Sequence, residues 1–239
     1  MKIAVIGETC KDIFIYCQCD RISPEAPVPI LIPLMTNTND GMSGNVVRNI
    51  TSLRPDSKIT HIHQKNKITK TRFVEKKSNH MFFRFDEGEN ICDEFNHNYD
   101  FAEFDIVVVS DYNKGFLNTE DLINIANNSK LSILDSKKSL SREVIQAFDF
   151  IKLNEEESKR NISSKNIITT LGSRGASFNN KIYPSPNPKE TIDVSGAGDT
   201  FTSSFIIRFF ETGNIEESII YANEMSSIVV SKRGVAVPK

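Results

Sequence analysis

Short, continuous apolar runs alternate along this chain with longer stretches in which apolar positions recur every three or four residues. The runs at 3–6, 58–62, 105–109, 131–134, 150–153 and 167–171 predict buried strands, and the periodic stretches at 43–53, 119–128, 141–147, 199–211 and 215–232 predict helices. Strand and helix in alternation predict an α/β fold, a doubly wound, mostly parallel sheet flanked by helices. Two stretches break the rhythm. IFIYCQCDRISPEAPVPILIPL at 13–34 and TKTRFVEKKSNHMFFRFD at 69–86 read as strands with no helix between them. They predict a small second sheet, from segments at about 12–34 and 69–86, placed as a lid over the carboxyl ends of the parallel strands, where open α/β sheets bind ligands. The expectation is one domain over 1–239.

Length and charge narrow the function classes. A chain of 239 residues can build a full core. A formal net charge of -2 lacks the electrostatic footprint of a nucleic-acid binder and points to small-molecule chemistry. The opening MKIAVIGETC has neither the length nor the cleavage pattern of a signal peptide, and no later stretch could span a membrane, so the expectation is a cytoplasmic protein with no nucleic-acid or membrane partner. Cys10, Cys17, Cys19 and Cys92 include a C-x-C pair but no C-x-x-C, which suits free thiols. His61 and His63 would share one strand face, with no third metal ligand nearby.

The densest chemistry lies in TIDVSGAGDTFTSSF at 191–205. Gly196 and Gly198 let successive backbone N–H groups converge, and the helix that follows adds the positive end of its dipole, so Gly196-Ala197-Gly198 reads as an anion hole. Neither the Walker pattern nor the dinucleotide fingerprint fits, and a simple glycine turn capped by Asp199 or Thr200 would explain the same letters. DFIKLNEEES puts Asn154 and Glu157 at the end of a predicted strand, suited to a hydrated Mg²⁺ or to a plain helix cap. IITTLGSRGASF reads as a hairpin whose turn has no need of Arg174. GETCKDIF and GMSGNVVRN put Asp12 after a strand and Asn45 at a helix start, positions suited to sugar hydroxyls.

In this order, DVSGAGDTF, the N-x-x-E of Asn154 to Glu157, TLGSRG and the stretch from Gly41 to Asn45 resemble the ribokinase (PfkB) family of carbohydrate kinases over most of the chain. RISPEAPVPI at 21–30, FDEGE at 85–89 and VVSDYNKG at 108–115 resemble its heptose branch, kinases that phosphorylate C1 of D-glycero-D-manno-heptose 7-phosphate. The resemblance implies an ATP-dependent sugar kinase with Asp199 as catalytic base and the backbone of Gly196, Ala197 and Gly198 as anion hole. It implies that Asn154 and Glu157 organise Mg²⁺, that Thr170, Gly172, Ser173 and Gly175 line the nucleotide site, and that Asn223 lies near the adenine. Asp12, Gly41 and Asn45, joined by Asp111 and Lys137, would hold the sugar. Asp193, Ser195 and the backbone near Gly234 would bind a monovalent cation such as potassium.

A sugar phosphate also needs a basic clamp, for which Arg21, Arg48, Arg72, Arg84, Lys114, Lys137 and Lys138 are candidates. The helix start should keep Asp199 ionised and therefore weakly basic. The apolar lid strands suggest a homodimer through the lid. The chain departs from the family pattern in three places: HQKNK at 63–67 replaces roughly a helix and a strand, which predicts a smaller main sheet, Met42 replaces the second glycine of Gly-Gly, and Ser136 replaces a proline. Ending at VAVPK, the sequence is expected to hold the kinase half of the bifunctional relatives without their nucleotidyltransferase domain. A kinase for another sugar or nucleoside, or a non-catalytic binder of sugar phosphate, stays open on the sequence.

Overall fold

The computed structural model describes residues 1–90, 93–96, 98–186, 194–232 and 235–238. The chain begins with β1 (Lys2–Gly7), β2 (Thr9–Gln18), β3 (Ile32–Met42), α1 (Ser43–Leu53), β4 (Lys58–Ile62), β5 (Thr69–Glu75) and β6 (Met81–Glu87). It continues through β7 (Ile106–Asp111), α2 (Thr119–Asn127), β8 (Ser132–Ser136), α3 (Arg142–Ala147), β9 (Phe150–Asn154), the single turn α4 (Glu155–Ser158) and β10 (Ile167–Thr170). The hairpin β11 (Ala176–Phe178) and β12 (Lys181–Tyr183) and the long helices α5 (Ala197–Thr212) and α6 (Ile215–Val230) complete it.

The larger sheet runs β12-β11-β10-β9-β8-β7-β1-β4. Its strands are parallel from β4 to β10 and antiparallel at the β11–β12 end, which is the expected doubly wound α/β fold. Successive strand residues face opposite ways, so each central strand feeds two cores. Ile3, Val5, Ile106 and Val108 pack beneath α1, α5 and α6, while Ala4, Ile6, Val107 and Val109 pack beneath α2 and α3. Both faces being covered explains why these strands are unbroken apolar runs. β4 connects to β5 through 63–68 with no helix between, and it forms the outer strand of its edge.

The second sheet has the order β3-β2-β5-β6. Its outline differs from the one expected. RISPEAPVPI contributes only an isolated bridge, Ile22 with Pro29, because its prolines lack the N–H groups a ladder needs. The partner strand β3 instead runs through the polar TNTND, whose backbone pairs with β2. Asp12 follows β1 as expected but lies within β2 rather than in a loop.

α5 is buried from Asp199 to Ile207, and of its buried hydroxyls all but that of Ser204 have partners inside the protein. Thr200, Thr202 and Ser203 donate to the carbonyls of Gly196, Gly198 and Asp199, four residues back. Thr200 also reaches Asn49 Oδ1 on α1 at 2.8 Å. Among the described residues no helix is long and apolar enough to cross a membrane. Phe205, fully buried, meets Phe150 edge-on at 4.9 Å and stacks with Phe201 and Phe209. Phe205→Ala should therefore lower unfolding free energy by about 3–5 kcal/mol in urea titration.

Candidate active site

Two cavities meet at the amino end of α5. The larger, about 850 Å³, is lined by Asn154 at the end of β9, by Thr170 at the end of β10 and Gly172 and Ser173 after it, by residues 196–199, and by Ser226, Ser227 and Val230 of α6. Its size suits a small-molecule ligand. Gly196 takes φ +82°, and a Cβ there would lie 2.7 Å from Asn45 Nδ2. Glycine is thus required both for the turn into α5 and for the close approach of Asn45. The smaller cavity, about 170 Å³, contains Asp12, Gly41, Asn45, Lys70 and Arg72. Tyr112, Gly196 and Asp199 line both cavities.

Asp199 is 5% exposed. Its Oδ2 accepts from Asn45 Nδ2 at 2.8 Å and its Oδ1 from the Tyr112 hydroxyl at 3.1 Å. Tyr112 is fixed in turn by Glu8, a wholly buried carboxylate that accepts the backbone N–H groups of Tyr112, Lys114 and Phe116. Nearby, Lys152 Nζ bonds Asp135 Oδ2 at 2.9 Å, and Thr202 donates to the same oxygen.

These surroundings overturn the expectation of a weakly basic Asp199. Burial, and next the charge of Asp135, push its carboxyl up to about 6, against the Asn45 hydrogen bond, the Lys152 charge and the Tyr112 hydroxyl. Loss of hydration outweighs the helix dipole. Asp199 remains mostly ionised at neutral pH yet accepts a proton far more readily than a solvated carboxylate. Burial alone would also raise Asp135, but Lys152 and Lys137 overcome it and hold that acid below its ordinary range. Burial and the Asp199 charge push Tyr112 well up, keeping it a donor.

In the smaller cavity Asp12 pairs with Arg72, whose guanidinium also lies over the Phe14 ring. A Cβ on Gly41 would come within 2.1 Å of Asp12 Oδ2, so the absence of a side chain there is what admits the carboxylate. Met42 next to it holds φ 56° and ψ -132°, a conformation that costs an L side chain roughly 1–3 kcal/mol. Its buried side chain packs with Cys10 and Ile68.

Other expected residues lie elsewhere. Asp111 is fully buried outside both cavities, its carboxylate bonded to Ser136 Oγ at 2.8 Å and Lys138 Nζ at 3.1 Å. Asn223 donates to Tyr183 O and leaves the cavity wall to Ser226 and Ser227. Gly175 serves the turn, where a Cβ would strike Tyr183 O. Asn154 and Glu157 form a reciprocal helix cap, and the second oxygen of Glu157 accepts from Lys137 Nζ at 2.6 Å. Arg174 pairs with Glu155 at the surface. Of the basic candidates only Arg72 lines the smaller cavity, joined by Lys70, which sequence reading missed. Lys114 bonds Glu89, Arg84 bonds Asp86, and Arg48 donates to Val235 O. Ser195 lines the smaller cavity, while Asp193, Gly234 and Cys92 lie outside the described residues.

The sequence profile of the pfkB family carbohydrate kinases matches residues 56–239. The chain belongs to the pfkB family. The reaction of this class is ATP-dependent phosphoryl transfer to a sugar hydroxyl. Similar pfkB-family relatives include the bifunctional protein HldE of a Nitratiruptor species, 27% identical over 295 aligned positions that cover 98% of this chain and 62% of that protein. HldE of Helicobacter pylori is 29% identical over 298 positions, 99% of this chain and 64% of that protein. The chain thus spans less than two thirds of the length of these relatives. The fold is similar to Thermotoga maritima ribokinase, with TM-score 0.73, 18% identity and coverage of 98% and 94% of the two chains. It is also similar to Arabidopsis thaliana ribokinase complexed with ribose and ATP, with TM-score 0.72, 14% identity and coverage of 97% and 93%.

The raised carboxyl has a cost in stability. An acid whose folded pKa, about 6, exceeds its unfolded value binds its proton more tightly in the folded state, so its burial disfavours folding above pH 6 and ceases to do so as pH falls towards 4. Two units correspond to roughly 3 kcal/mol at neutral pH. Asp199→Asn should be more stable than wild type at pH 7.5, by roughly 1–3 kcal/mol, with the gap narrowing towards pH 5. Denaturant titrations of both proteins at the two pH values measure it.

Proposed function

We propose that this chain transfers the γ-phosphoryl group of ATP to the C1 hydroxyl of D-glycero-D-manno-heptose 7-phosphate. The observation that carries this is Asp199, a carboxylate with its pKa raised, standing where a nucleotide-sized cavity meets a small polar one. ATP occupies the larger cavity with its γ-phosphate over the 196–198 backbone, and the sugar occupies the smaller. The acceptor oxygen bonds to phosphorus as the bond to ADP breaks, and its proton passes to Asp199. Positioning and charge stabilisation supply most of the rate. A base adds about 10²- to 10⁴-fold, roughly 3–5 kcal/mol, and each preorganised donor to the phosphoryl oxygens roughly 3–4 kcal/mol.

For Mg²⁺ the donor set is Asn154 and Glu157, with Glu155 and Glu156 on the cavity wall. Among the described residues no three His, Cys, Asp or Glu gather as a metal cluster, and both Glu157 oxygens already accept a bond. Glu157 also lies off the cavity wall, so a Mg²⁺ that keeps most of its waters would be held there through water by Asn154, Glu155 and Glu156, with Glu157 fixing Asn154 from behind. When bound it supplies neutralisation of the β- and γ-phosphate charge. Potassium at Asp193 and Ser195 belongs to the same reading.

Lys70 and Arg72 in the smaller cavity support a phosphorylated acceptor, and the likeness to HldE together with RISPEAPVPI supports the heptose. A volume of about 170 Å³, with Met42 in its wall, favours a second reading, a smaller sugar phosphate as acceptor. Turnover across a panel of phosphorylated and free sugars separates the two, and turnover of free sugars alone would remove both. Asp199→Asn should bind an ATP analogue within about twofold of wild type and lose 10²- to 10⁴-fold in kcat. Full activity in that variant would take Asp199 out of the mechanism.

The outer face of the second sheet supports a homodimer. Ile15, Phe73 and Phe83 lie in register across β2, β5 and β6, and Phe83 and Phe85 are 50% and 55% exposed. Covering that apolar stripe with a second copy removes it from water. Phe83→Glu with Phe85→Glu should convert a dimer to a monomer in sedimentation equilibrium. A wild type that is monomeric at micromolar concentration excludes this interface.

A further inference from the structure

A third cavity, about 370 Å³, lies against β4, the amino half of α1 and the 63–68 link. Its volume is in the range of small-molecule sites and exceeds that of the acceptor cavity. Lys11, Arg48, Lys65 and Lys67 line it against a single carboxylate, Asp40, in a chain whose net charge is -2. Arg48 is held by Val235 O, but Lys11, Lys65 and Lys67 make no ion pair among the described residues. Like charges gathered unpaired around a concavity repel one another and attract an anion.

The link that carries two of these lysines is pinned. Gln64, 2% exposed, accepts from Thr9 N at 3.0 Å and donates to Thr9 O at 2.6 Å and Asn66 O at 3.2 Å. Lys65 N donates to Asp93 Oδ2 at 2.7 Å and Asn66 Nδ2 to Gly88 O at 3.2 Å. The lysines therefore extend from a preorganised turn, which lowers the entropy lost when they close on a ligand. His61 and His63 complete the wall, their rings 4.5 Å apart. Ser43 Oγ donates to Gly7 O at 2.9 Å, so His61 Nε2, 2.8 Å away, donates to Ser43. Burial and then the His63 charge, against Asp40, bring His61 down to about 4.

We propose that this cavity binds a phosphate-bearing small molecule at a site separate from the ATP and acceptor cavities. Phosphate oxygens meet Lys11, Lys65 and Lys67, with Asn66 Oδ1, which has no partner among the described residues, available as an acceptor to the remainder of the ligand. The site shares with the acceptor cavity the thiol of Cys10, which burial and Asp12 push up to about 12 and so keep neutral. It does not rest on the proposed acceptor.

His61 and His63 allow the site to be read alone, since neither lines the nucleotide cavity. Inorganic pyrophosphate, titrated without divalent metal while the imidazole resonances are followed by NMR, should shift both rings saturably and raise the His61 pKa, with His80 as internal control. Lys65→Glu with Lys67→Glu should weaken that binding at least tenfold and leave turnover with ATP unchanged. Parallel titrations with a nucleoside diphosphate and a hexose monophosphate identify the source of the phosphate. If both organic ligands fail where pyrophosphate succeeds, the site takes the inorganic anion. No saturable shift, a shift that chloride reproduces at equal ionic strength, or undiminished affinity in the double variant overturns the proposal.

Discussion

Asp199 gives up nearly all contact with water and receives two hydrogen bonds in return, from Asn45 and Tyr112. The rest of the site is arranged around keeping that carboxylate in place. Asn45 reaches it only because α1 lies against α5, a packing secured by Thr200 on Asn49, and because Gly196 leaves room. Tyr112 reaches it only because Glu8 gathers the loop after β7 on three backbone N–H groups. The Asp135–Lys152 pair, carried on β8 and β9, adds one charge of each sign nearby, and the negative one raises the pKa further. Two helices and four parallel strands thus converge on one ionisable group. Its instability in the folded state is the source of its basicity.

The second sheet closes the other side by the period of its strands. β2 alternates, with Cys10, Asp12, Phe14 and Tyr16 buried, so polar and charged groups of β2 and β5 reach the smaller cavity while Ile13, Ile15 and Phe73 turn away from it. A shift of one residue in the pairing would exchange the two sets. The bonds of Asp12 to Arg72 and of Lys70 to Glu89 therefore anchor the register as well as the charge of the site.

Much of this architecture was legible in the sequence, because central parallel strands are unbroken apolar runs and helices keep their period. β4 and α1 match their expected spans, and the glycine turn, Asp199, Asn45, Asp12 and Gly41 do come together. β3 escaped because TNTND has no apolar alternation and owes its conformation to pairing with β2. RISPEAPVPI misled because an apolar stretch without N–H donors resembles a strand in composition only. Tyr112, Glu8, Asp135 and Lys152 escaped because their partners are distant in sequence, as with Tyr112 and Asp199, separated by 87 residues. A weak signal was present: a charged residue within an otherwise apolar strand, as in SILDS and FIKLN, requires a buried partner.

The three places where the sequence departs from the expected family pattern, Met42, Ser136 and the 63–67 link, fall in different surroundings. The glycine turn, Asn154 and the Thr-x-Gly-Ser stretch line the larger cavity, whereas Met42 lines the smaller one, the 63–67 link lines the third, and Ser136 lies outside all three. Ser136 shows how such a change propagates. Its hydroxyl donates to Asp111 Oδ2 and accepts from Lys138 N, while Lys138 also binds Asp111. A proline at this position has no hydroxyl to offer, so Asp111 would lack one of the three groups that hold its carboxylate, the others being Lys138 Nζ and Asn113 N. The carboxylate expected at the sugar is thus retained by the protein itself, and the charged and amide side chains that the second sheet and α1 bring to the smaller cavity are those of Asp12, Asn45, Lys70 and Arg72. Asp199 is the only acidic side chain common to both cavities among the described residues.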